Sequence, residues 1–215
     1  MQLAVQDFGR AREVPLTWPH VKRLVDIAFG SALLLLSSPV IAAAALAIVA
    51  LTRGSPFFVQ ERVGMYGRRF KMFKLRTMVQ GAPAMRQRLE HLNEVSGPVF
   101  KIRNDPRLHP LGRFLRCTSI DELPNLLNVV LGDISLVGPR PALPEEVAQY
   151  DGRALRRLIA PQGITCLWQI NGRSNCSFEE WMELDNRYID EWTPLGDIVI
   201  LLKTVPAVLH RTGAH

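Results

Sequence analysis

From Ile27 to Leu51 the chain runs for 25 residues without a charge, and LLLLSSPVIAAAALAIVAL at residues 33–51 places two serines and a proline near its middle. An uninterrupted helix of that length would cross a bilayer, whose hydrocarbon core is about 30 Å thick. Pro39 opposes continuity, because its ring removes a backbone donor and clashes with the preceding turn. A break at Ser38-Pro39 leaves two halves of about a dozen residues, roughly 18 Å each, too short to span. Serine hydroxyls can bond back to the freed carbonyls, which makes such a break tolerable in lipid. The pattern therefore predicts a re-entrant membrane helix-break-helix over residues 21–53, against a kinked span or a buried soluble helix.

Charge at the two flanks bears on topology. Arg10, Arg12, Lys22 and Arg23 precede the run, and Arg53, Arg62, Arg68, Arg69, Lys71, Lys74 and Arg76 follow it, opposed only by Glu61. Basic flanks stay cytoplasmic, and a straight span would strand one of them outside. Re-entry returns both. The run begins late and ends without a small-residue cleavage site, so no removed signal peptide is expected.

Beyond the run the pattern changes repeatedly. SPFFVQERVG and RRFKMFKLRTM alternate around Gly64 and Gly67, as two short strands would. APAMRQRLEHLNEV reads as a surface helix, and GPVFKIRNDPRLHPLGRFLR, punctuated by Pro98, Pro106 and Pro110, as loop. TSIDELPNLLNVVLGD starts like a capped helix with acids in its first turn. Helices follow at EEVAQYDGRALRRLI and SFEEWMELDNRYIDEW, and GDIVILLKTVPAVL is apolar enough to dock on the core or lie on a membrane face. The expected fold is α+β, mostly helical. It has an arm at 1–20, the membrane element at 21–53 and a cytoplasmic domain at 54–215.

Composition narrows the partners. The 215 residues are 47% hydrophobic with a net charge of +6, which suits anionic ligands or an anionic membrane face. Cys117, Cys166 and Cys176 lack metal-ligand spacing, and zinc is not indicated. No nucleic acid is expected: zinc-finger, KH, RRM and helix-turn-helix patterns are missing, as are the P-loop and Rossmann fingerprints.

Candidate chemistry centres on Asp121-Glu122. Adjacent carboxylates on a helix point different ways, so one can attack or bind a metal while the other holds Mg²⁺, a hard cation that favours carboxylates and phosphates. The bland alternative is an acid pair that stabilises a helix start. Arg103, Arg107, Arg113 and Arg116 precede the pair, Arg140 sits between Pro139 and Pro141, and Arg173 lies in the turn NGRS. Arginines interleaved with glycine and proline look less like a solvated face than like a polyphosphate site. Trp168, Trp181 and Trp192 read as core or membrane-edge packing.

QERVGMYGRRFKMFKLRTM, FKIRNDPRLHPLGRFLRCTSIDELPNLLNVVLGDISLVGPRP, PQGITCLWQINGRS and LDNRYIDEWTPLGDIVILLKT, in that order, resemble the bacterial sugar transferase family in its short form. These are the monotopic phosphoglycosyl transferases of bacterial glycan assembly. The resemblance implies transfer of a sugar 1-phosphate from a UDP-sugar, with glucose and galactose the leading hexoses, to undecaprenyl phosphate. UMP is released through a covalent aspartyl-phosphosugar. It makes Asp121 the nucleophile and Glu122 the main Mg²⁺ ligand, with Lys74, Arg116, Pro139, Arg140, Pro141 and Arg173 as substrate contacts. Ser38-Pro39 becomes the helix break. It also implies inner-membrane lipid and later glycosyltransferases of the pathway as partners, and leaves a homo-oligomer open. The expected location is the bacterial cytoplasmic membrane, with catalysis on its cytoplasmic face.

Cys166 and Cys117 depart from the family pattern at a usual glycine and a usual basic or polar position, and Leu75 replaces a commoner phenylalanine. None of them is in the carboxylate pair. The competing functions are a Mg²⁺-dependent membrane phosphohydrolase acting on diphosphates and a non-enzymatic membrane polyanion-binding protein.

Overall fold

A computed structural model describes residues 18–95, 97–171 and 177–209, and in it one long helix, α1 (Trp18–Thr52), carries the whole apolar run. Two separate membrane helices are not resolved: Pro39 lies inside α1. The local chemistry explains why the helix continues. Pro39 has no N–H for the Leu35 carbonyl, and the Ser38 hydroxyl donates to that carbonyl instead, at 2.8 Å. The serine that was expected to mark a break also repairs the hydrogen bond that proline removes.

Both ends of α1 are held by the same body of protein. Near its start, Arg23 donates to the carbonyls of Val129 and Val130, each at 2.6 Å. Lys22 pairs with Asp197, and Asp26 accepts from the Ser135 hydroxyl and the Leu136 amide, both at 2.9 Å. Near its end, the fully buried Ile48 packs with Leu75 and Leu115. Thr52 accepts a hydrogen bond from Arg76. Between these moorings Leu35, Leu36 and Leu46 are 75%, 76% and 71% exposed, an apolar surface that water would not favour.

The alternating segments form an antiparallel hairpin of β1 (Phe57–Val63) and β2 (Arg69–Leu75), with Phe57 opposite Leu75 and Val63 opposite Arg69. Stretch 82–92 is two short 3-10 turns rather than the expected surface helix. Within the segment expected to be loop, α2 (Pro110–Cys117) forms. Pro110 fits a first helical turn, and the preceding His109 caps it, its Nδ1 accepting from the Gly112 amide at 3.0 Å. A histidine cap carries no residue-type signal like that of serine or aspartate, so the pattern concealed this helix.

The acid pair lies on a 3-10 turn, Ile120–Glu122, ahead of α3 (Asn125–Leu131), not in the first turn of one α-helix. Ser119 causes the difference: its φ of 57° is left-handed, which redirects the chain instead of capping a helix.

A second, parallel pair of strands, β3 (Ser135–Val137) and β4 (Gly163–Thr165), was not evident from the pattern. Residues 144–159 supply α4 (Pro144–Val147), α5 (Gly152–Leu155) and a 3-10 turn where one helix was expected. After β4 come α6 (Leu167–Ile170), α7 (Phe178–Asp190), capped by Ser177, and α8 (Pro194–Leu209). Val129, Ile134, Leu136, Val137, Ile159, Tyr188 and Ile200 form the main core, joining α3, the parallel pair, α7 and α8.

Candidate active site

Three elements converge on the acid pair. Lys74 comes from β2, Asp121 and Glu122 from the 3-10 turn, and Arg140 from the loop after β3. Lys74 Nζ and Arg140 Nη2 both donate to Glu122 Oε1, at 2.8 and 2.9 Å. Asp121 is buried beside them.

Environment separates the two carboxyls. Burial, followed by the charge of Glu122, pushes Asp121 up to about 6. Burial also acts against a charged Glu122, but Arg140 and Lys74 together outweigh it and hold Glu122 well below the usual carboxylate range. Glu122 is thus a fixed anion at neutral pH, and Asp121 sits close to its titration point. Burial lowers Lys74, although Glu122 opposes this, and the Glu122 charge raises Arg140.

The Pro139-Arg140-Pro141 turn is clamped through all three of its carbonyls. Pro139 O accepts from the Gly163 amide at 2.9 Å, Arg140 O from Arg157 Nη2 at 2.9 Å, and Pro141 O from Arg62 Nη1 at 3.1 Å. The backbones of β3 and β4 make this possible by a very close approach. A Cβ on Gly138 would lie 2.1 Å from Pro161 O, and one on Gly163 would lie 2.1 Å from the Gly138 amide nitrogen. The Arg140 fork is therefore aimed by a rigid backbone.

Arg157 is itself anchored, 2.7 Å from Asp185 Oδ2 on α7 and 2.9 Å from the Tyr150 hydroxyl. Burial pushes Asp185 up to about 6, with Arg157 opposing the shift. Arg116, on α2, reaches the same region with its Nε donating to the Thr77 hydroxyl at 3.0 Å.

Two cavities meet at Glu122. One, of about 440 Å³, is walled by Lys74, Arg116, Asp121, Arg140 and Pro141, and further by Arg62, Lys101 and Arg157. The other, of about 260 Å³, lies between α1 and α8 and is mostly apolar, with Leu33, Leu123, Ile164 and Val208 among its walls. Ser119, Glu122 and Gln169 line both.

The structure thus gathers Lys74, Arg116, Asp121, Glu122, Arg140 and Pro141 on one cavity, and places Pro139 behind it in the buried turn. Arg173 lies outside the described residues. Arg107 is not at the cavity; it is committed to a buried pair with Asp105 at 2.6 Å. Arg103 and Arg113 are exposed and away from it. Arg62, Lys101 and Arg157 were not among the site residues expected from the sequence, where Arg62 counted only as a basic flank. Alternation could have flagged Arg62 as facing inward on β1, but no local signal marks the other two. Burial and the nearby Arg140 lower Lys101 to about 8, as expected for a cation inside a basic cavity.

Among the described residues no cluster of three or more His, Cys, Asp or Glu could hold a metal by itself. Magnesium binds through one or two carboxylates together with substrate phosphates, so the Asp121-Glu122 pair suits it only alongside a phosphorylated ligand.

Residues 17–211 match the family described as bacterial sugar transferase. The galactosyl transferase CpsE of Streptococcus agalactiae is 42% identical over 194 residues, covering 90% of this chain and 43% of that protein. The exopolysaccharide production protein ExoY of Rhizobium meliloti is 38% identical over 202 residues, covering 90% of this chain and 88% of that protein. The UDP-glucose:undecaprenyl-phosphate glucose-1-phosphate transferase of Escherichia coli is 39% identical over 194 residues, covering 86% of this chain and 39% of that protein. The chain spans less than half the length of the first and third of these relatives and most of the second.

Proposed function

The chain belongs to the bacterial sugar transferase family, and from that premise we propose that it moves a sugar 1-phosphate from a UDP-sugar to undecaprenyl phosphate and releases UMP. One observation carries the reading: a cavity rich in cations and an apolar cavity share the wall that holds Glu122. A charged nucleotide sugar suits the first, and the isoprenoid end of a lipid carrier suits the second. Asp121 stands where their phosphates would meet.

Asp121 is the nucleophile. Its carboxylate oxygen attacks the sugar-proximal phosphorus, the bond from that phosphorus to the bridging oxygen breaks, and UMP leaves with the electron pair. The acyl phosphate formed holds the sugar phosphate until an oxygen of the carrier phosphate attacks the same phosphorus and returns the Asp121 carboxylate. Two steps spare the enzyme a simultaneous encounter between a soluble and a lipid substrate. Lys74, Arg116 and Arg140 offset charge on the phosphoryl oxygens, the dominant demand in such transfers.

Magnesium fits at Glu122, since Lys74 and Arg140 both engage Oε1 and neither engages Oε2. Bound there with the diphosphate, the ion would neutralise phosphate charge. Glucose and galactose are the leading donor sugars, and later glycosyltransferases would extend the lipid-linked product.

Membrane attachment is monotopic, with α1 entering the cytoplasmic leaflet and returning. The mooring of both α1 ends on one domain supports this, because a domain on one side cannot grip both ends of a spanning helix. The basic flanks favour the cytoplasmic side.

The test is nucleotide release from detergent-extracted protein given UDP-sugars, Mg²⁺ and polyprenol phosphate. One equivalent of UMP should appear without acceptor, and turnover should require it. Inorganic phosphate as product, or no release with any UDP-sugar, would overturn the reading.

A further inference from the structure

Most cations on the charged cavity are already engaged by the protein. Lys74 and Arg140 share Glu122 Oε1, Arg62 donates to Gln60 and the Pro141 carbonyl, and Arg76 reaches Thr52. Arg116 donates to Thr77, and Arg157 to Tyr150 and the Arg140 carbonyl. Lys101 differs. It lines the same cavity, and among the described residues its ammonium has no hydrogen-bond or ion-pair partner. Its backbone, by contrast, is held twice: the amide donates to Asn93 Oδ1 at 2.8 Å, and the carbonyl accepts from the Glu94 amide at 2.9 Å. A lysine with a fixed backbone and an uncommitted head is arranged for a ligand rather than for the fold.

Neighbouring charges show where that head lies. Burial and then Arg140 lower Lys101, Glu94 opposes them, and Arg103 adds a smaller push in the same direction as Arg140. Asp121 and Glu122 are not among the charges that act on it, so the ammonium lies nearer Arg140 than the acid pair. Two cations facing one cavity repel, and an anionic group between them removes the repulsion. A diphosphate donor has two phosphorus centres to place. Its sugar-proximal phosphorus must face Asp121 for attack, so its nucleotide-side phosphate falls beyond Arg140, toward Lys101.

We propose that the Lys101 ammonium, together with Arg140, binds the nucleotide-side phosphate of the donor, the group that departs within UMP. This inference rests on the reading of the cavity as a UDP-sugar site and adds a residue to it. When the bond from the sugar-proximal phosphorus to the bridging oxygen breaks, the electron pair stays with UMP, whose phosphate gains negative charge beside Lys101. A fixed ammonium there opposes charge that grows in the transition state. No proton is transferred in this role, and the lysine must carry its charge to fill it.

The experiment measures UMP binding to full-length, detergent-extracted protein by calorimetry, beside the two halves of the reaction. Lys101→Met should weaken UMP binding about tenfold or more, the usual worth of a hydrogen bond to a charged group, and slow the UMP burst. The Lys101 ammonium is lowered to about 8, so UMP affinity of the unmodified protein should fall as pH rises through that value. Lys101→Arg stays charged and should show no such fall. The second half-reaction separates this role from a merely structural one. Protein charged with UDP-sugar and Mg²⁺, freed of UMP and then given polyprenol phosphate should discharge equally fast with and without Lys101→Met, because the nucleotide-side phosphate has gone. Equal slowing of both halves, unchanged UMP affinity in Lys101→Met, or a pH-dependent fall that persists in Lys101→Arg would overturn the proposal. If Lys101→Met does not fold, the pH comparison with Lys101→Arg decides alone. Absence of any UMP burst from the unmodified protein would instead defeat the underlying functional reading.

Discussion

Lys74 and Arg140, from two different elements, donate to one and the same oxygen of Glu122. Neither contact can be lost without leaving the other cation to balance a buried carboxylate. The arrangement keeps Glu122 ionised and ties the hairpin to the loop after β3 at the candidate site. Glu122→Gln removes that anion and should leave Lys74 and Arg140 repelling each other. Turnover is expected to fall at least a hundredfold, and the Mg²⁺ dependence of the residual rate should flatten, as measured by UMP release across a metal titration.

Asp121 gives a pH prediction with a definite sign. Its carboxyl is raised from 3.8 to about 6 in the folded protein, and in the proposed mechanism only the ionised form attacks. The acceptor-independent burst rate should therefore drop as pH falls through about 6. The same shift means that ionising Asp121 costs the folded state stability as pH rises from about 4 to above 6, since the folded form holds its proton more tightly than the unfolded one. Asp121→Asn should abolish the burst yet raise stability at pH 8 by about 1 to 3 kcal/mol. A surviving burst in this variant would indicate direct transfer within a ternary complex.

Arg140→Lys preserves charge but loses the planar fork. Because the turn is held through its backbone carbonyls, folding should be unaffected. Donor KM is expected to rise about tenfold in initial-rate assays, and an unchanged value would show that the guanidinium geometry is not read.

Asp185→Ala leaves the Arg157 guanidinium buried without its counter-ion. Breaking such a pair typically costs about 3 to 5 kcal/mol. Since Arg157 also donates to the Arg140 carbonyl, donor KM should rise along with the loss in stability. A Lys substitution at Asp185 should be worse in both respects, and thermal unfolding alongside donor kinetics would check this.

Ser38 and Pro39 form a testable couple. Ser38→Ala strands the Leu35 carbonyl in apolar surroundings and should cost about 1 to 2 kcal/mol. In a Pro39→Ala background the restored backbone N–H takes that carbonyl, so Ser38→Ala should then cost little. A double-mutant cycle by thermal unfolding in detergent would reveal the coupling, and additive effects would contradict it.

The apolar run, the alternating hairpin, the helix that starts near Ser177 and the acid pair were legible because each depends on periodicity or residue type within a few positions. Hydrophobic residues seek burial or lipid wherever the chain goes, and strand alternation survives any topology. The motif residues pointed to the family before any contact was known.

Which arginines form the site was decided by tertiary structure. Arg107 and Arg157 look alike in sequence, yet one is spent on the local Asp105 and the other clamps the Arg140 turn from 17 residues away. The parallel strands were invisible because three-residue segments carry no period, and they exist because Gly138 and Gly163 let two distant backbones nearly touch. The split between the Asp121 and Glu122 carboxyls was likewise not local. It comes from Lys74 and Arg140, brought from 48 and 18 residues away, whose fields act through a buried, poorly screened site.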